Sequence, residues 1–214
     1  EGHAPLRPRY IIPNYEKFMK EGPRFLNLEP PKDLFEAINA LEIIYRHVPS
    51  VTNFPVYVGQ LDELLDPFVQ DMDEALAQKL ITLFFINMDR TILDSFSHGN
   101  IGPRDTKAGR LILKAIEATR DAVPNITMKY DETVTPDDFA LEYVTASCYN
   151  GLKFGGGSYT LVRLILGNIA KRAKNIEDFL QNQLPYVMDI QARYMDERIR
   201  FIVEESGFFE NNFL

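Results

Sequence analysis

The stretch Thr145–Ala173, TASCYNGLKFGGGSYTLVRLILGNIAKRA, decides how the rest of the chain is read. It holds the only cysteine of 214 residues, Cys148, a few positions before the glycine run Gly155-Gly156-Gly157. Asn150-Gly151 is a turn signal, so the thiol sits at or beside a tight reversal. Ser158 stands at a helix N-cap position, and Leu161, Leu164, Ile165 and Ile169 follow at helical spacing. The reading is a lone thiol on a tight loop ahead of a buried helix.

Downstream, a long helix is predicted over roughly Asn175–Glu205, with Pro185 inside its pattern and a kink or break expected there; Gly207 ends it. Upstream, Thr135-Pro136-Asp137-Asp138 opens another helix, with a capping threonine, proline in the first turn and acids near the positive end of the dipole. Asn125–Tyr130 alternates like a half-buried strand, and a helix over about Asp105–Ala122 presents Leu111, Ile112, Ala115, Ile116 and Thr119. Before it lies a polar loop, Ser95–Thr106 (SFSHGNIGPRDT). A dense apolar helix covers Asp73–Phe96, with Leu76, Leu80, Leu83, Phe84, Asn87 and Ile92 at helical spacing, so it is buried on most sides.

Nearer the start, Leu61, Leu64 and Leu65 make a short helical turn that Pro67 closes, and Phe54–Gly59 is a β-type run with a proline suited to an edge. Asp33–His47 places Leu34, Ile38, Leu41 and Tyr45 on one helical face, stopped by Pro49. Residues 1–31 carry six prolines and read as an extended segment with one short helix at Tyr15–Lys20. The division expected is this segment followed by one α/β domain over residues 32–214.

Hydrophobic residues make up 45% and charged residues 25%, an ordinary balance for a globular chain long enough to bury a core. With 23 basic and 31 acidic residues the net charge is -8, which argues against nucleic acid and anionic membrane as partners. The apolar runs, such as Leu80–Met88, are too short to span a bilayer, and Glu1–Tyr10 lacks the pattern of a signal peptide. One cysteine forms no internal disulfide, so a reducing cytoplasm is the default compartment.

Each candidate group has a plain structural reading beside the chemical one. A free cysteine usually packs as a small hydrophobe. The glycine run could cradle an anion, yet it lacks the Gly-Lys-Ser/Thr ending of a P-loop, and close packing of backbone explains it as well. His3, His47 and His98 are isolated, so no metal site is expected from local ligands. His98, with Asn100 beside it, lies either on a surface loop or on the second wall of a pocket. A cysteine hydrolase would need His98 as its base, and no hydrolase signature surrounds either residue. A loop thiol can also be oxidised to a thiyl radical that abstracts hydrogen from substrate, which needs a radical source and no histidine.

The segments NIGPRDTKAGRLILKAIEATRDAVPNITMKYDETVTPDDFALE and SCYNGLKFGGGSYTLVRLILGNIA resemble parts of a glycyl radical enzyme, and more closely the YjjI-type branch. Residues 9–68 and 175–214 read the same way, so the resemblance covers nearly the whole chain; SCYNGL followed by GGG is its most specific part. It implies the helix-rich part of a ten-stranded β/α barrel, incomplete here, with Cys148 as the thiyl site on a central loop. Tyr149, Asn150, His98 and Asn100 would contact substrate. No cofactor would be bound directly. The parent radical would sit on a C-terminal glycine, as in the pyruvate formate-lyase-like superfamily, installed by a radical S-adenosylmethionine activating enzyme, and would serve anaerobic hydrogen abstraction from a small organic molecule.

Two departures from the resemblance shape what is expected. The family's Arg-Val-x-Gly-aromatic type motif does not occur before Leu214, and Leu141-Glu142 leads into the cysteine loop where a further strand and helix would stand. The chain thus reads as a shortened form that holds no glycyl radical of its own. The alternative is a non-catalytic helical interaction module that keeps the fold's core. A shortened barrel exposes strand edges and apolar surface, which predicts self-association, a homodimer being the simplest form.

The cysteine loop narrows the chemistry by comparison with the family. Tyr149 stands where pyruvate formate-lyase has a second cysteine, and Asn150 stands where the dehydratases place a glutamate. The four-cysteine metal site of the anaerobic ribonucleotide reductases has no counterpart.

Overall fold

The computed structural model describes residues 10–12, 14–22, 26–51, 57–91, 97–120, 124–128, 143–145, 151–153, 157–158 and 162–207. The chain forms two compact units, one over Tyr10–Gly157 and one over Ser158–Asn211 with the chain's two ends divided between them.

The larger unit opens with β1 (Tyr10–Ile11), α1 (Tyr15–Glu21) and α2 (Leu34–Val51), followed by β2 (Tyr57–Val58), α3 (Leu61–Val69), α4 (Glu74–Thr91), β3 (His98–Ile101), α5 (Lys107–Thr119) and β4 (Asn125–Met128). Side-chain caps explain the helix starts. Asn14 Oδ1 accepts from Lys17 N at 3.0 Å, Asp33 Oδ1 from Glu36 N at 2.9 Å, and Asp73 Oδ1 from Leu76 N at 2.9 Å. Thr106 Oγ1 accepts from Gly109 N at 3.0 Å and starts α5.

Strands β2, β3 and β4 form a parallel sheet in that order, with Tyr57 opposite His98 and His98 opposite Asn125. Helices carry the chain between successive parallel strands, as parallel pairing requires. The fold class is therefore α/β, helix-rich with a three-stranded parallel sheet among the described residues. Beneath the sheet, Leu34, Leu41, Ile44 and Tyr45 of α2, Leu61 and Leu65 of α3, and Phe84 and Phe85 of α4 are buried. Phe84 and Phe85 meet edge to face, 5.6 Å between centroids.

Helices α3 and α5 cap one another. Asp62 and Asp66, one turn apart on α3, accept from the start of α5: Thr106 Oγ1 to Asp62 at 3.1 Å and Ala108 N to Asp66 at 3.0 Å. In return Lys107 Nζ donates to the carbonyls of Val69, Gln70 and Met72 at the end of α3, at 2.7, 3.1 and 3.4 Å. Positive helix start thus meets acid, and negative helix end meets base.

Several expectations are corrected. Residues 98–101 are not a surface loop but β3, the middle strand, because a strand covered on both sides need not alternate in polarity. Pro67 lies inside α3 and does not close it, and α2 runs past Pro49 to Val51. On α4 the buried face is Ala77, Ile81, Phe84, Phe85 and Met88, whereas Leu76, Leu83 and Ile86 are exposed. A helix apolar all round gives periodicity no means of choosing its inner face.

Around the cysteine, β5 (Tyr143–Thr145) and β6 (Gly151–Lys153) pair antiparallel, Thr145 opposite Gly151. Of the turn predicted at Asn150-Gly151, Gly151 opens β6 and Asn150 lies outside the described residues. Ser158 does not cap a helix: it belongs to β7 (Gly157–Ser158). The helix there is α6 (Leu166–Ala170), whose first bonds run from Asn168 N and Ile169 N to Ile165 O. Upstream, the Val162 carbonyl is taken by the Gln191 side chain at 2.6 Å, so it does not serve as an early helix acceptor.

In the smaller unit the chain is helical from Ile176 to Glu205, capped by Asn175, whose Oδ1 accepts from Asp178 N at 2.8 Å. Pro185 does not break it. A π turn over Phe179–Gln183 widens the helix just before the proline, and Pro185 then stands in the opening positions of α7 (Leu184–Arg200). A second π turn, Phe201–Glu205, closes the run before Gly207. No helix among the described residues is long and apolar enough to cross a membrane.

Candidate functional site

The expected site residues fall into two groups. Cys148, Tyr149 and Asn150 lie outside the described residues, as do the predicted helix start at Thr135–Asp138 and Gly155-Gly156. His98 and Asn100 are described, and they sit on β3, two residues apart. That spacing points both side chains to one face of the sheet.

That face is polar, buried along β2 and β3 and open at β4, where Asn125 is exposed and Thr127 half-buried. His98 is 3% and Asn100 1% exposed. Strand register adds Tyr57 from β2 and Asn125 and Thr127 from β4. Tyr57 stacks on His98 with 5.1 Å between ring centroids and 7° between planes. No carboxylate stands among these five side chains. These residues carry hydrogen-bonding groups and an aromatic ring; they lack the acid pair that hydrolysis of a glycoside or general acid–base relay would use.

The opposite face explains how β3 is held. At Gly99 an added Cβ would lie 2.9 Å from Ile126 Cδ1, 3.1 Å from Leu61 Cδ2 and 3.5 Å from Tyr45 Oη. Glycine lets helix side chains press directly on the strand. Through that gap the Tyr45 hydroxyl donates to the His98 carbonyl at 2.9 Å. Burial, seconded by Tyr15, pushes the Tyr45 phenol well above its ordinary value, so it stays a neutral donor. Ser97 precedes the strand, fully buried; its carbonyl accepts from Asn125 N at 2.8 Å and its hydroxyl has no hydrogen-bond partner among the described residues.

Sequence reasoning had His98 and Asn100 but not their partner Tyr57. The signal was present: Tyr57-Val58-Gly59 is a β-type run, and a parallel pairing with the next strand would put an aromatic beside the histidine. No group of three or more His, Cys, Asp or Glu side chains with metal-holding geometry occurs among the described residues.

Comparison with known proteins gives one consistent relationship. The family described as "Glycyl radical enzyme YjjI-like" matches residues 1–145 and 140–214. An "Uncharacterized protein" of Haemophilus influenzae is 44% identical over 240 aligned positions, covering 100% of this chain and 46% of the relative. The "Uncharacterized protein YjjI" of Escherichia coli is 41% identical over 241 positions, covering 100% of this chain and 47% of the relative. The chain thus spans about half the length of the curated relatives it matches. The aligned positions also outnumber the 214 residues, so the relatives carry residues with no counterpart here.

Proposed function

The chain belongs to the YjjI-like glycyl radical enzyme family, and from that we propose that Cys148 passes through a thiyl radical and abstracts hydrogen from a small organic substrate under anaerobic conditions. The observation that carries this reading is a family match over the whole chain together with one cysteine, set in the connection between two antiparallel strands.

In this mechanism Cys148 gives its thiol hydrogen atom to a glycyl radical, which an S-adenosylmethionine-dependent activating enzyme installs on a glycine of the longer protein. The thiyl sulfur then takes hydrogen from a substrate C–H bond: the S–H bond forms, the C–H bond breaks homolytically, and a carbon radical remains. After rearrangement or cleavage the same S–H returns its hydrogen to the product radical, so the cycle consumes no external electrons. Asn150 carries an amide and supplies no general base. Tyr149, Asn150, His98 and Asn100 shape the substrate's surroundings. The succession of parallel strands joined by helices supports a ten-stranded β/α barrel as the architecture of the whole protein.

The test uses a full-length family protein carrying this sequence, activated anaerobically and followed by electron paramagnetic resonance in D2O. The glycyl doublet should collapse to a singlet as Cys148 shuttles solvent deuterium to the glycine, and Cys148→Ser should keep the doublet. Collapse at the wild-type rate in the serine variant would remove Cys148 from the mechanism.

A further inference from the structure

Asp62 is 1% exposed, and its carboxylate is only half accounted for. Oδ2 accepts from Gly102 N at 2.9 Å and Thr106 Oγ1 at 3.1 Å, while Oδ1 is buried and no donor among the described residues meets it in hydrogen-bond geometry, the N–H groups of Glu63 and of Asp62 itself lying near the carboxylate outside that geometry. Asp62 lines a cavity of about 210 Å3, with Gly102 and Thr106 beside it and Ile101, Leu113 and Met128 as apolar walls. Gly109 keeps the place open: a Cβ there would lie 2.8 Å from Thr106 Oγ1 and 3.3 Å from Asp62 Oδ2.

This cavity lies apart from His98 and Asn100. Ile101 and Met128 are register partners and share the sheet face of Gly99 and Ile126, the face turned to the helices. It opens where β3 and β4 end and α5 begins, the end of a parallel sheet at which α/β folds take ligands. Pro103, Arg104, Asp105 and Arg110 also line it, the two arginine side chains 38% and 56% exposed. Arg110 meets Asp105 through Nη1, and a guanidinium has further donors to offer.

We propose that this cavity binds a short hydroxy acid, whose hydroxyl donates to Asp62 Oδ1 and whose carboxylate meets the Arg110 guanidinium. The unpartnered buried oxygen calls for a donor, the guanidinium for an anion, and the walls for a short carbon body between them. A buried acceptor left unmet by an analogue without the hydroxyl makes the hydroxyl the discriminating group.

The experiment is calorimetric titration of the full chain with lactate and with propionate, which differ by that hydroxyl. Lactate should bind saturably and propionate at least about tenfold more weakly. Asp62→Asn should bring the two affinities together, and Arg110→Met should weaken both acids while preserving their ratio. Equal affinities in the wild-type chain, or no saturable binding of lactate, would overturn the proposal. Because the lactate–propionate comparison is made on the unaltered protein, it stands even if the Asp62 variant fails to fold.

Discussion

Tyr57 lies flat against His98 across the β2–β3 pair, ring centroids 5.1 Å apart, so the aromatic ring forms one wall of the histidine's surroundings. Tyr57 is 4% exposed. Truncation to Ala should therefore cost about 3–5 kcal/mol, as for other large buried aromatics. Tyr57→Phe keeps the stacked ring and should cost under about 1.5 kcal/mol. Urea denaturation midpoints for the two variants check this, and equal losses would mean that the hydroxyl, not the ring, carries the contact.

Gly99 is required by space. Gly99→Ala should destabilise by about 1–3 kcal/mol through overpacking, since its new methyl meets Ile126, Leu61 and Tyr45 at once. Ile126→Val removes the Cδ1 atom nearest that methyl. The double variant should be more stable than the sum of the single losses implies, and a double-mutant cycle by chemical denaturation measures the coupling.

Lys107 satisfies three carbonyls at the end of α3. Lys107→Met keeps most of the side-chain length and removes the donors, and should lower stability by about 1–2 kcal/mol. Thermal unfolding of the variant reads the loss, and an unchanged midpoint would show that water replaces the lysine without cost.

Asp62 gives the pH dependence an unusual sign. Burial raises its carboxyl above the ordinary 3.8, against the opposing pull of the Gly102 N–H, the Thr106 hydroxyl and the N–H groups of Glu63 and Asp62 itself. The folded state then holds a proton that the unfolded state has released, so this group's contribution to stability falls as pH rises from about 3.8 through the raised value, then levels off. The usual salt-bridged acid does the reverse. Asp62→Asn should remove this slope, seen as the difference between wild-type and variant denaturation curves from pH 4 to pH 8.

Helical periodicity made α2 and α5 legible, because each has one apolar stripe: Leu34, Leu41 and Tyr45 on the first, Leu111, Ile112 and Ala115 on the second are all buried. It failed at His98–Ile101, where glycine, asparagine and histidine make a central strand that a polarity pattern reads as loop. It failed again at Ser158, where cap chemistry and leucine spacing imitate a helix start. His98 and Asn100 were legible as candidates from residue type, but their shared face follows only from the strand. Asp62 escaped notice because one acid at a helix start is common; its burial comes from α5 packing across it, which no local pattern records.

The two π turns of the long C-terminal helix act as phase shifters. Each accommodates one residue more than an α-helix would, and a residue corresponds to about 100° of rotation. The exposed apolar residues Tyr186, Ile190 and Tyr194, spaced by four along α7, thus take their azimuth from the turn at Phe179–Gln183. Deleting one residue within that turn would leave the helix continuous yet swing this stripe by about a quarter-turn relative to Ile176. The orientation of the helix's outer surface is therefore encoded in a count of residues and not in their identity.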